Sequence, residues 1–194
     1  MRGKFITLYG INNIGKSTQA KRLVKRLREM GKKVEYVKYP VYDLEPTGPM
    51  LNRVLRGGEQ KISEKELQMW FVLNRYQFQP KLEKMLDEGV TVIAEDYIGT
   101  GMAWGMAKGL SEEFVETVNE GLLQEDVAVL FEGERSMEAK EVKHVHEQND
   151  ELVEKCAEVH RDLAGKYGWE RIDVSEDWDV TEERLWKVLA GYLE

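Results

Sequence analysis

The sequence predicts a three-layer α/β fold: a five-stranded parallel sheet with helices on both faces, built as one domain over residues 1–194. Three observations carry this expectation. Short apolar runs alternate with longer stretches of helical periodicity along the whole chain. The runs are apolar at consecutive positions, as strands covered on both faces are. The first run ends at a glycine-bounded turn that opens into a helix, which puts ligands at the carboxyl ends of the strands.

Taken in order, Phe5 to Tyr9 is the first strand, ended by Gly10. Lys16 to Met30 is an amphipathic helix with Leu23, Leu27 and Met30 at helical spacing, stopped by Gly31. Val34 to Tyr39 is the second strand, halted by Pro40. Residues 42–49 hold prolines and a glycine and read as a loop, followed by a short helix from Met50 to Leu55 that ends at Gly57 and Gly58. Ser63 and Glu66 form a capping box for a long helix to about Glu88, and Pro80 inside it predicts a kink or break because proline donates no backbone hydrogen bond. Gly89 closes that helix, and Val90 to Ala94 is the third strand. Glycines 99, 101, 105 and 109 cluster in one stretch, expected to be a helix start or a loop lying close to something. Glu112 to Leu123 is a helix whose acids form a solvated face, and Val127 to Phe131 is the fourth strand. Met137 to His146 and Glu147 to Lys166 are helical, Arg171 to Val174 is the fifth strand, and Thr181 to Leu193 is a last helix packed through Leu185, Trp186 and Leu189.

Composition narrows the function. The net charge is −8 and the isoelectric point about 5.2, which argues against nucleic acid and against an anionic membrane surface. No apolar run approaches the roughly 20 residues needed to span a bilayer, and the N-terminal stretch has no signal-peptide pattern. The cytoplasm is the expected location. The single cysteine, Cys156, reads as a core thiol. His144, His146 and His160 read as surface residues, and Trp70, Trp169, Trp178 and Trp186 as core or core-edge residues.

The chemistry starts at Gly10-Ile-Asn-Asn-Ile-Gly-Lys16-Ser17, which fits G-x-x-x-x-G-K-[ST] with a strand before it and a helix after. Such a P-loop curls so that successive N–H groups point at phosphate oxygens, with the helix N-terminus adding partial positive charge. Gly10, Asn12, Asn13, Ile14, Gly15, Lys16, Ser17 and Thr18 are therefore the expected ATP and Mg²⁺ binding loop, in which Lys16 reaches the terminal phosphates and Ser17 ligates Mg²⁺. Glu95 and Asp96 follow the third strand, and either carboxylate suits the metal shell.

Several further segments together resemble the thymidylate kinases, P-loop enzymes that pass a phosphoryl group from ATP to a deoxynucleoside monophosphate. Phe5 to Leu23 resembles the family's opening strand, loop and helix, down to Gly-Lys-Ser-Thr-Gln. Lys38-Tyr39-Pro40 stands where many members have Arg-Phe-Pro, and Met50-Leu51-Asn52 with Leu55 looks like the helix after that loop. Phe71-Val-Leu-Asn74-Arg75-Tyr76 is similar to F-x-x-N-R-W, Val90 to Trp104 to the strand and D-R-Y segment, and Trp169 to Ser175 to the last strand.

The resemblance implies dTMP as acceptor, with Lys38 and Arg75 on its phosphate, Phe71 stacked on its base, Trp104 closing the pocket, and Tyr97 and Thr100 beside it. It also implies pairing of two copies, which the helix bearing Trp70 and Phe78 could mediate. A lid is expected near residues 135–150. The chain departs from the family pattern at four places. Asn12 stands for the acid of the loop, Glu95-Asp96-Tyr97 for D-R-Y, Asn13 for a loop arginine, and His146-Glu147-Gln148-Asn149-Asp150 for the arginine-bearing segment of the lid, whose cations here are Arg135, Lys140 and Lys143. Lys140, Lys143 or Lys108 is the expected substitute cation; a different deoxynucleoside monophosphate, or weakened catalysis, would account for the same departures.

Overall fold

The computed structural model describes residues 1–57, 61–134 and 150–193. Its strands are β1 (Phe5–Tyr9), β2 (Val34–Lys38), β3 (Thr91–Glu95), β4 (Val127–Glu132) and β5 (Glu170–Asp173). They lie in the order β2-β3-β1-β4-β5, and every pair is parallel. The expected architecture is therefore observed among the described residues. The central strand β1 is buried at all five positions, whereas the edge strands β2 and β5 are only partly buried. This is the pattern expected where a parallel sheet is covered on both faces.

Seven helices cover the sheet among the described residues: α1 (Lys16–Glu29), α2 (Thr47–Arg56), α3 (Glu64–Asp87), α4 (Ile98–Ala107), α5 (Glu112–Asn119), α6 (Asp150–Tyr167) and α7 (Trp178–Leu193). α1 packs on β1, β2 and β3 and against α7, while α3, α4, α5 and α6 pack together around β3 and β4. One large apolar core fills both interfaces, and a smaller cluster of Leu51, Val54, Leu55 and Leu67 joins α2 to α3. None of the described helices is long and apolar enough to cross a membrane.

Four elements differ from expectation. α2 starts at Thr47, inside the stretch read as a loop. Thr47 is buried and tied to Gln77 and Asn74 of α3, and Pro49 falls in the first turn, where its missing N–H costs nothing. α3 runs through Pro80 without a break. A proline inside a helix costs about 3 kcal/mol, but Phe78, Leu82 and Leu86 are buried on either side of it, each stabilising by about 1.5–3 kcal/mol. α5 stops at Asn119, ahead of Gly121 at φ 81°. α7 starts three residues early because the Asp177 carboxylate accepts the Asp179 N–H as a cap, a signal present in the sequence and missed. The glycine-rich stretch 99–109 is helical as α4, ended by Gly109 at φ 94°.

Candidate active site

The loop between β1 and α1 has the backbone that its glycines allow. Gly10 and Gly15 take φ of 134° and 97°, and Asn13 lies in the left-handed region at 64°, where asparagine is tolerated. A Cβ on Gly15 would also strike the Trp178 ring at 2.6 Å. α1 has no side-chain cap and no acid in its first turn, so its N-terminal N–H groups remain for an anion. Lys16 is buried, donating to the carbonyls of Gly10 (2.7 Å) and Ile11 (2.8 Å), with the Asp96 carboxylate 3.5 Å away.

Strand register assembles the next layer. Lys38 of β2 and Glu95 of β3 are register partners, so their side chains share one face of the sheet. The Glu95 carboxylate accepts from the Ser17 hydroxyl (2.7 Å) and the Lys38 ammonium (2.8 Å) through Oε1, and from the Tyr36 hydroxyl through Oε2. Burial would raise its pKa, but Lys16 and Lys38 beside it, with hydrogen bonds from Lys38 and Tyr36, hold it below the usual range. Asp96 takes φ 59° and bonds Thr100 as well as facing Lys16. Burial pushes its pKa up, Lys16 pulls the other way, and the Glu95 charge adds to the rise.

A cavity of about 350 Å³ runs from this loop toward α3 and α4. It is lined by Asn12, Asn13, Gly15, Lys16, Ser17 and Thr18 at one end and by Phe71, Arg75, Gly101 and Trp104 at the other, with Lys38, Glu95, Asp96, Tyr97 and Thr100 between them. Gly10 and Ile14 do not line it, and the Ile14 side chain belongs to the core. Arg75 is buried among fixed partners, donating to Asn119 Oδ1 (2.9 Å) and the Tyr97 carbonyl (2.8 Å), while its Nε is buried without a hydrogen bond. Burial lowers its pKa. A Cβ on Gly101 would lie 2.3 Å from Arg75 Nη2, so α4 approaches the guanidinium as closely as only glycine allows. Asn74 fixes the chain after β2 by bonding both backbone groups of Val41 and the Thr47 hydroxyl.

Several expected placements change. Lys108 does not line the cavity; it pairs with Glu64 at 2.7 Å at the far end of α4. Lys140 and Lys143, and the lid segment up to residue 149, lie outside the described residues, as do His144 and His146. His160 is not a surface residue but fully buried on α6, its Nδ1 2.8 Å from the Cys156 carbonyl, and burial pushes its pKa down to about 4. Cys156 is a buried free thiol, as expected. Trp178 is neither core nor core-edge: it is 43% exposed, with its ring against the phosphate loop and its carbonyl held by Gln19. Tyr36 and Asn119 were not foreseen. Tyr36 sits two residues before Lys38 and therefore on the same strand face, a signal that was available; nothing in the sequence marks Asn119.

Comparison with known proteins fits this geometry. The family model described as thymidylate kinase matches residues 8–182. The thymidylate kinase of Arabidopsis thaliana is 28% identical over all of this chain and 73% of its own length. The human thymidylate kinase is 25% identical over 95% of this chain and 88% of its own. A solved Candida albicans thymidylate kinase shares the fold at a TM-score of 0.80 with 20% identity, covering 98% of this chain and 92% of that one.

Proposed function

The chain belongs to the thymidylate kinase family, and on that premise we propose that it transfers the γ-phosphoryl group of ATP to dTMP, giving ADP and dTDP. The observation that carries this is one continuous cavity joining a phosphate loop to an aromatic and cationic pocket. The P-loop N–H groups and Lys16 hold the donor phosphates. Lys38 meets the acceptor phosphate, and Phe71 and Trp104 hold its base end, with Tyr97 and Thr100 in the wall between. Arg75, expected on the phosphate, is assigned to the base end instead, because Asn119 and the Tyr97 carbonyl already hold its terminal nitrogens. An acceptor phosphate oxygen attacks the γ-phosphorus as the bond to the β-bridging oxygen breaks, and the electron pair leaves on ADP. Positioning and fixed cations suffice for such a transfer, so no base of unusual pKa is required.

The donor set suits Mg²⁺. The Ser17 hydroxyl and Glu95 carboxylate are hard oxygen donors 2.7 Å apart beside the loop. Among the described residues no three acidic, histidine or cysteine side chains gather to hold a metal alone, which fits an ion shared with substrate phosphates. When bound, Mg²⁺ neutralises charge on the β and γ oxygens. Ser17 and Glu95 are the residues that would hold it. Asp96 faces Thr100 and Lys16 rather than Ser17.

Pairing of two copies belongs to the same proposal, with one change of residues. Phe78 is buried and Trp70 half-buried, whereas Met69, Leu73 and Tyr76 form the exposed apolar stripe of α3. Light scattering of the purified chain tests that part. The activity is tested by incubating the protein with ATP, Mg²⁺ and each nucleoside monophosphate in turn and separating the products. Diphosphate formed from dTMP is the expected result, and no product from any acceptor would end the proposal.

A further inference from the structure

On the reading that this cavity binds Mg²⁺·ATP and dTMP, we propose that Lys38 is exchanged between the two sites: it pairs with Glu95 until the metal-bearing donor takes that carboxylate, and is thereby released to the acceptor phosphate. Two donors meet at one carboxylate oxygen. Glu95 Oε1 accepts from Lys38 Nζ at 2.8 Å and Ser17 Oγ at 2.7 Å, and those two donors are 3.4 Å from each other. The other carboxylate oxygen is taken by the Tyr36 hydroxyl. A divalent ion held between Ser17 and Glu95 therefore needs the space and the charge that the ammonium now has. Two cations cannot share one oxygen at that range without strong repulsion.

Lys38 is built to leave. Its side chain is 48% exposed, it stands on an edge strand, and its four-carbon stem turns freely. Lys16 is the contrasting case, 3% exposed and held by two carbonyls of its own loop. Lys38 also lines the cavity that extends to Phe71 and Arg75, so an anionic group entering there is the partner within reach once Glu95 is taken. The acids facing Lys38 are Glu95 and, at longer range, Asp96. The consequence is a coupling between the sites, and by linkage it is reciprocal.

Calorimetric titration of dTMP, with and without a non-hydrolysable ATP analogue and Mg²⁺, tests this without turnover. We expect dTMP to bind about tenfold tighter in the presence of the Mg²⁺-loaded analogue, in the usual range of such couplings, and the analogue without Mg²⁺ to have little effect. Thymidine, which lacks the phosphate, should bind equally in all three conditions. Glu95→Gln should bind dTMP tightly without any analogue, and Lys38→Met weakly with or without it; unchanged thymidine binding by both variants reports an intact pocket. Equal dTMP affinity across conditions, no change in Glu95→Gln, or the same tightening for thymidine would overturn the exchange. Wild-type turnover of dTMP with no coupling removes this proposal alone. No dTMP binding and no turnover removes the proposed function with it.

Discussion

The two ends of the cavity are built in opposite ways. The donor end comes from within one stretch of the loop, Asn12 to Thr18, whose binding groups are mostly main-chain N–H, with charge supplied by two lysines set against two adjacent acids. The acceptor end draws on α3 and α4, with Asn119 of α5 behind it, and its Arg75 is buried with its terminal nitrogens already bonded to protein. The donor end can exchange partners because its ion pairs compete with the ligand. The acceptor end recognises shape, because its groups are fixed before any ligand enters.

That contrast can be broken experimentally. Removing the buried cation of the donor end should have the largest effect: Lys16→Ala is expected to lower kcat/KM for ATP on the order of 10³-fold, the loss typical of a deleted charge-stabilising donor. A smaller loss, read from initial rates, would mean that the loop backbone carries the donor alone. At the acceptor end, Gly101→Ala drives a methyl group into Arg75 Nη2. A displacement of that kind can cost about 10²-fold, and it should fall on kcat/KM for dTMP while KM for ATP stays unchanged. Equal effects on both substrates would show that the packing of Arg75 against α4 also sets the donor end.

His160 extends the contrast to the core. It is fully buried on α6 and held neutral, with a pKa of about 4 in the folded chain against 6.5 for the free side chain. The unfolded chain therefore takes up a proton as the pH falls through 6.5 and the folded chain only near 4. The stabilisation is complete above pH 6.5 and is lost as the pH falls toward 4. Between pH 7 and 5 this amounts to about 2 kcal/mol of unfolding free energy. Urea melts should show it, and His160→Gln should flatten that part of the profile. The smallest effect is expected from Tyr36→Phe. It leaves packing intact but removes the hydroxyl on Glu95 Oε2, and by analogy with other groups that orient a metal ligand it should weaken Mn²⁺ binding to the protein–ATP complex about tenfold. Electron paramagnetic resonance of free Mn²⁺ reads this directly.

Sequence alone determined what depends on neighbours along the chain. The phosphate loop is legible because its geometry is local: glycines at fixed offsets, a strand before and a helix after. The three inner strands β1, β3 and β4 are legible because burial on both faces makes consecutive positions apolar. The resemblance carried the acceptor residues as far as Phe71, Arg75 and Trp104, and the structure sets all three on the same cavity. Tertiary structure decided the rest. That Glu95, not Asp96, faces Ser17 depends on the register of β3 with β2 and on the turn at Asp96. That Arg75 is locked depends on Asn119, 44 residues away. Trp178 flanks the loop because α7 packs on α1, and Pro80 fails to break α3 because Phe78, Leu82 and Leu86 anchor both sides of it. The physical reason is the same in each case. A local signal sets the backbone's preferences over a few residues, whereas a side chain's role is set by the charges and packing partners that the fold brings to it from elsewhere in the chain.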